Sequence, residues 1–168
     1  SAGRADRGAE AAHLDAGEAQ TPHITFTDLA SHAEGLIVLT GGPDGPIDRA
    51  LRDGQPSLAK DRLTQLKTIA GDRLYVELQR HGLASEAETE PELITLAYGL
   101  ALPLVATNEC LFAKPDDYEA HEARVCIAQG LILGDARRKR EYSQEQYFKT
   151  TAEMAELFAD LPEALENA

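Results

Sequence analysis

The chain has 168 residues, enough for one ordinary domain and too few for a multidomain enzyme. Its 16 Lys and Arg stand against 29 Asp and Glu, a formal charge of −13 that disfavours direct binding to nucleic acid. Two cysteines without metal-finger spacing, no signal-peptide pattern and no apolar run of membrane length point to a cytoplasmic protein, and a 43% apolar content without Trp predicts an aliphatic core.

Residues 1–22 mix Ala, Gly and charge without a sustained period and are expected to form a flexible lead-in. From Gly35 the pattern is regular. Residues 36–39 are a continuous apolar run, as in a parallel strand covered on both faces, and a Gly-Pro cluster over 41–46 closes it. The spacing of Leu58, Leu63, Leu66 and Ile69 predicts a helix over 57–70, ended by Gly71. A strand over 74–78 follows, then a helix over about 86–101 with Leu93, Ile94, Leu96, Ala97 and Leu100 inward, stopped by Pro103.

A third strand over 104–107 leads to Pro115 and to Asp116 with Glu119, whose capping-box spacing predicts a helix reaching about Gln129, with Tyr118, Val125 and Cys126 inward. Thr150 with Glu153 and Asp160 with Glu163 open two further helices. Strand alternating with helix at these spacings predicts α/β architecture with a parallel sheet. Three strands make an arc, and an uncovered edge of that arc is an association hazard.

Two runs carry the chemistry. Tyr75-Val76-Glu77-Leu78-Gln79-Arg80-His81-Gly82 and Leu104-Val105-Ala106-Thr107-Asn108-Glu109 are each apolar and strand-like, and each ends in polar side chains where a parallel strand hands over to its loop. Glu77 is the sharper signal, since a carboxylate inside an apolar strand is costly unless paired, hydrogen-bonded or metal-bound.

Together with Glu34-Gly35-Leu36-Ile37-Val38-Leu39-Thr40-Gly41-Gly42, Asp117-Tyr118-Glu119-Ala120-His121-Glu122, Gln146-Tyr147-Phe148-Lys149 and the block 153–164, these runs resemble the PHP domain (polymerase and histidinol phosphatase) of bacterial DNA polymerase III alpha subunits. The resemblance covers roughly residues 23–168. It implies a partial PHP domain with a C-terminal helical extension, the later part of a (β/α)7 TIM-like barrel that is incomplete here, because the family's opening His-x-His motif is absent.

In active members of the family, His, Asp and Glu side chains hold metals that activate water against a phosphoester. Glu77 and His81 fall on two such ligand positions. The later family motif, Asn-Asp-x-His, reads Asn108-Glu109-Cys110-Leu111 here, so Glu109 replaces an Asp and Leu111 cannot ligate. The resemblance therefore implies Glu77, His81 and Glu109 as remnants of a metal site, with no tightly bound cofactor and at most weak binding of Zn, Mn or Mg. The plainer alternative keeps Glu77 as an internal hydrogen-bond acceptor and His81 as a loop cap.

Other candidates carry simpler readings. Cys110 and Cys126 are expected to be small buried hydrophobes, His121 a packing residue, and His13, His23 and His32 surface residues. Residues 41–45 have glycines after a strand but lack the Lys-Ser/Thr ending of a phosphate loop, and no helix is expected directly after them. The run Arg137-Arg138-Lys139-Arg140 reads as a solvated loop. The resemblance implies a structural and docking module for DNA replication, joined to the remainder of the alpha subunit and offering a surface to the proofreading exonuclease subunit. The alternative is a metal-dependent phosphoesterase or 3′–5′ exonuclease. No residue here is assigned polymerase chemistry, and no membrane contact is expected.

Overall fold

The computed structural model describes residues 23–135 and 142–168, so the expected lead-in over 1–22 and the basic run over 137–140 lie outside the described residues. The described elements are α1 (Phe26–His32), β1 (Val38–Leu39), α2 (Pro46–Arg52), α3 (Pro56–Ala70), β2 (Leu74–Leu78), α4 (Ala84–Gly99), β3 (Leu104–Ala106), α5 (Tyr118–Gln129), α6 (Thr151–Leu157) and α7 (Pro162–Glu166). The strands form one parallel sheet in the order β1-β2-β3, with Val38 opposite Leu74 and Glu77 opposite Val105.

Period-two alternation gives the sheet two unlike faces. Leu74, Val76 and Leu78 of β2 and Leu104 and Ala106 of β3 join Leu63 and Leu66 of α3 and Leu93 and Ala97 of α4 in the aliphatic core. Glu77 and Val105 point the other way. Each core leucine contributes on the order of 2–3 kcal/mol by leaving water, so the helices clamp the sheet on that side.

Several expectations shift. The run 36–39 is not a doubly covered strand: β1 is two residues long, Ile37 is 69% exposed and Leu39 41%, because among the described residues β1 has a neighbour on one side only. On α3 the inward stripe is Ala59, Leu63, Leu66 and Ala70, with Leu58 at the surface. The small residues win because they let the helix sit close to the sheet. On α4 the stripe begins earlier and is polar at first, with Glu86 and Thr89 buried ahead of Leu93 and Ala97.

Capping explains the boundaries of the later helices. Thr150 caps α6 as expected, its hydroxyl accepting from the Glu153 N–H and the Glu153 carboxylate accepting from the Thr150 N–H. At α5, Asp117 rather than Asp116 accepts the Lys114 N–H, closing a short 3-10 turn (Pro115–Asp117) before the helix. Asp160 does not cap α7, since its carboxylate is taken by Arg80. A helix absent from the sequence reading, α2, starts directly after the glycine loop with Gly45 as its N-cap. Gly45 is required there, because a Cβ would lie 2.2 Å from the Thr40 carbonyl oxygen.

Candidate functional site

The three strands deliver their C-terminal ends to one edge, and Glu77, His81 and Asn108 meet there. Glu77 is 8% exposed and is held entirely by neutral donors. Its Oε1 accepts the Thr107 hydroxyl at 2.5 Å and the Gln79 amide at 3.2 Å, and its Oε2 accepts the Gly41 N–H at 3.1 Å. The glycine loop thus turns its amide toward an internal carboxylate. Its backbone N–H serves β2, whose Glu77 N–H in turn donates to Thr40 Oγ1 at 2.9 Å.

His81 follows β2 and is 1% exposed. Gly82, with φ 74°, then reverses the chain so that α4 brings Glu86 back over the ring. Glu86 Oε1 lies 2.7 Å from His81 Nδ1, and Glu86 Oε2 accepts the His81 and Leu83 N–H groups at 2.6 and 3.2 Å. The other nitrogen, Nε2, is 3.0 Å from Asn108 Oδ1. The Asn108 amide nitrogen donates to the Tyr147 carbonyl at 2.8 Å, which turns Oδ1 toward the ring and makes Nε2–H the donor.

Segment 143–149 lies over this group as a strap. Ser143 Oγ donates to the His81 carbonyl at 2.6 Å, Gln146 Nε2 donates to Glu109 Oε2 at 3.1 Å, and Phe112 and Tyr147 form a parallel bridge. Arg80, beside His81, ties the same edge to the C-terminal helices. Its guanidinium donates to both Glu90 oxygens, to both Asp160 oxygens and to the Leu157 carbonyl, and it stacks 4.6 Å from the Phe158 ring. Hydrogen bonds to Asp160 and Glu90 hold its proton more firmly than usual.

Below the edge, Asp48 of α2 is 2% exposed and accepts the Thr89 hydroxyl at 2.8 Å. Burial pushes its carboxyl up to about 6, with the Glu77 charge adding to the rise and the Thr89 hydrogen bond and Arg52 opposing it. Asp48, Thr89, Glu86 and Ser143 were not singled out from the sequence, and Gln146 entered the sequence reading only within a block of the resemblance. A legible signal existed for Glu86, which sits in the first turn of a helix that begins three residues after His81. The remaining partners are gathered from distant segments.

The sequence candidates sort clearly. Glu77 and His81 share the sheet edge, while Glu109 faces Gln146. Thr107, Gln79 and Gly41 hydrogen-bond to Glu77, Glu86 and Asn108 to His81, and Gln146 to one oxygen of Glu109, and among the described residues no group of three His, Cys, Asp or Glu side chains is placed to hold a metal. As arranged, the three residues do not fit a shared ion. Cys126 is buried as expected, but Cys110 is exposed, with its Sγ against Asn108, because the loop carries it outward from β3. His121 packs against Tyr142 and Phe112 at ring distances of 4.9 and 5.5 Å, and burial and Arg124 lower its proton affinity. His23 is exposed and the His32 ring meets the Asp28 carbonyl oxygen, while His13 lies outside the described residues.

The parallel sheet carries a glutamate, a histidine and an asparagine at or just beyond the C-terminal ends of its strands, and the PHP domain model matches residues 6–81. Over those residues the chain is similar to the PHP domain family. It is 47% identical over 156 residues to the DNA polymerase III subunit alpha of Caulobacter vibrioides, covering 93% of this chain and 14% of that protein. It is 49% identical over 135 residues to the subunit of the same name from Pseudomonas aeruginosa, covering 80% and 12%, and 44% over 147 residues to that of Vibrio cholerae, covering 88% and 13%. The chain thus spans about an eighth of the length of these relatives. Among the described residues no helix is long and apolar enough to cross a membrane.

Proposed function

We propose that this segment serves as a structural and docking module of a cytoplasmic replicative DNA polymerase alpha subunit, without hydrolytic activity of its own. The observation that carries this reading is the His81 ring: both nitrogens are spent on Glu86 and Asn108, and the ring lies buried beneath the strap. A histidine used in this way locks the end of β2 to α4 and β3, which is work for a rigid support. The parallel sheet, covered by helices on one face, is then one arc of a (β/α)7 barrel. The remainder of the subunit would supply the other strands and all polymerase chemistry, and the proofreading exonuclease subunit would dock on the assembled domain.

The second reading, a metal-dependent phosphoesterase or 3′–5′ exonuclease, draws on the meeting of Glu77 and His81 at the C-terminal sheet edge, where such sites are built. In it Glu77, His81 and Glu109 bind Zn, Mn or Mg weakly once the strap lifts. Calorimetric titration with Zn and Mn, paired with hydrolysis of a generic phosphodiester, separates the two. Weak or no heat and no hydrolysis are expected. Tight stoichiometric binding with hydrolysis lost in Glu77→Ala would sink the docking reading. A binding assay of the alpha subunit with its exonuclease subunit tests the partner independently.

A further inference from the structure

Beneath Glu77, between β2, α2 and α4, lies a small space of about 10 Å³ whose lining includes Gly42, Asp48, Glu77, Gln79, Glu86 and Thr89. Asp48 is 2% exposed, its Oδ1 accepts the Thr89 hydroxyl, and its Oδ2 has no partner. A buried carboxylate oxygen left without a donor costs on the order of 1–3 kcal/mol or more. The surrounding polar groups cannot relieve it. The Thr89 hydrogen is already given to Asp48, the Gln79 amide donates to Glu77 and Thr107, and the Glu77 and Glu86 carboxylates are acceptors. An occupant of this space therefore has to be a donor.

We propose that this space at the buried Asp48 Oδ2 is the binding site of one resident water molecule, which donates one hydrogen bond to Asp48 Oδ2 and the other to a lining carboxylate, Glu77 or Glu86. The volume suits a single water, which needs roughly 10–15 Å³ of such space and two to four polar partners. A bare cation fits less well. Glu77 and Glu86 are already satisfied by hydrogen bonds, so one oxygen is left unmet, whereas an ion requires about four to eight ligands. The water would join α2 to the β2–α4 corner that carries Glu77 and His81, in the place of a side chain that no element provides.

The test is a crystal structure of the protein at a resolution that refines single waters, grown in choline chloride rather than a sodium salt. One fully occupied peak is expected about 2.6–3.0 Å from Asp48 Oδ2. In Asp48→Asn the amide N–H takes over the donor's place and the peak is lost. In solution, the melting temperature should be the same in sodium chloride and in choline chloride at equal strength. An empty cavity in the wild-type density overturns the proposal, as does a peak that persists in Asp48→Asn. A peak with contacts near 2.3–2.4 Å, together with a sodium-dependent rise in melting temperature, overturns it in favour of a cation site. If Asp48→Asn does not fold, the wild-type density and the salt comparison still decide.

Discussion

Glu86 and His81 are joined twice, by a side-chain contact of 2.7 Å and by the His81 N–H donating to the same carboxylate at 2.6 Å, with both residues nearly fully buried. Removing one partner strands the other in the core. Glu86→Ala should lower the unfolding free energy by about 3–5 kcal/mol, measured by urea denaturation. A loss below about 1 kcal/mol would mean that the pair behaves as a surface contact and that the packed site is wrongly described.

Arg80 acts as a planar fork between α4 and the chain's last helices, and its side chain is only 18% exposed. Lysine keeps the charge but reaches one carboxylate at a time. Arg80→Lys should therefore cost about 1–3 kcal/mol and, more specifically, speed amide exchange in α6 and α7 while leaving α3 protected. Uniform loss of protection across the chain would argue that Arg80 holds no local hinge.

Asp48 sets a pH dependence whose sign follows from its raised carboxyl. The folded protein holds this proton up to about 6, against a reference value of 3.8, chiefly because of burial. The stability it contributes is fully present below the unfolded value and is lost as pH rises through about 6, amounting to roughly 3 kcal/mol. Asp48→Asn cannot ionise. Wild type should lose stability relative to Asp48→Asn between pH 4 and 7, and a flat difference over that window would contradict the buried, charged Asp48.

The side of β1 that has no strand neighbour among the described residues should drive self-association. Ile24, Ile37 and Leu39 are 42, 69 and 41% exposed beside it, and an open groove of about 500 Å³ lined by Ile24, Phe26, Leu29 and Val38 runs along it. An unpaired edge with apolar flanks invites pairing with another copy. Sedimentation velocity should show concentration-dependent association, reduced by Leu39→Lys. A monomer at every concentration tested would count against the exposed edge.

The sequence by itself determined the elements whose signal is local. The apolar run over 74–78 placed β2 at Leu74–Leu78, the Thr150 and Glu153 pair opened α6, and Gly71 ended α3. It also placed Glu77, His81 and Asn108 at one sheet edge, because parallel strands all end on the same side. Only the tertiary structure decided what those residues do there. Whether Glu77 and His81 face an ion or each spend their lone pairs inside the protein depends on Glu86, Thr107, Asn108 and a strap some 60 residues downstream of His81, and no spacing along the chain encodes that convergence. The same reason hid α2 and Asp48: a seven-residue helix with a buried carboxylate has weak periodicity, and its place is fixed by Gly45, Thr89 and the packing of α3 and α4 around it.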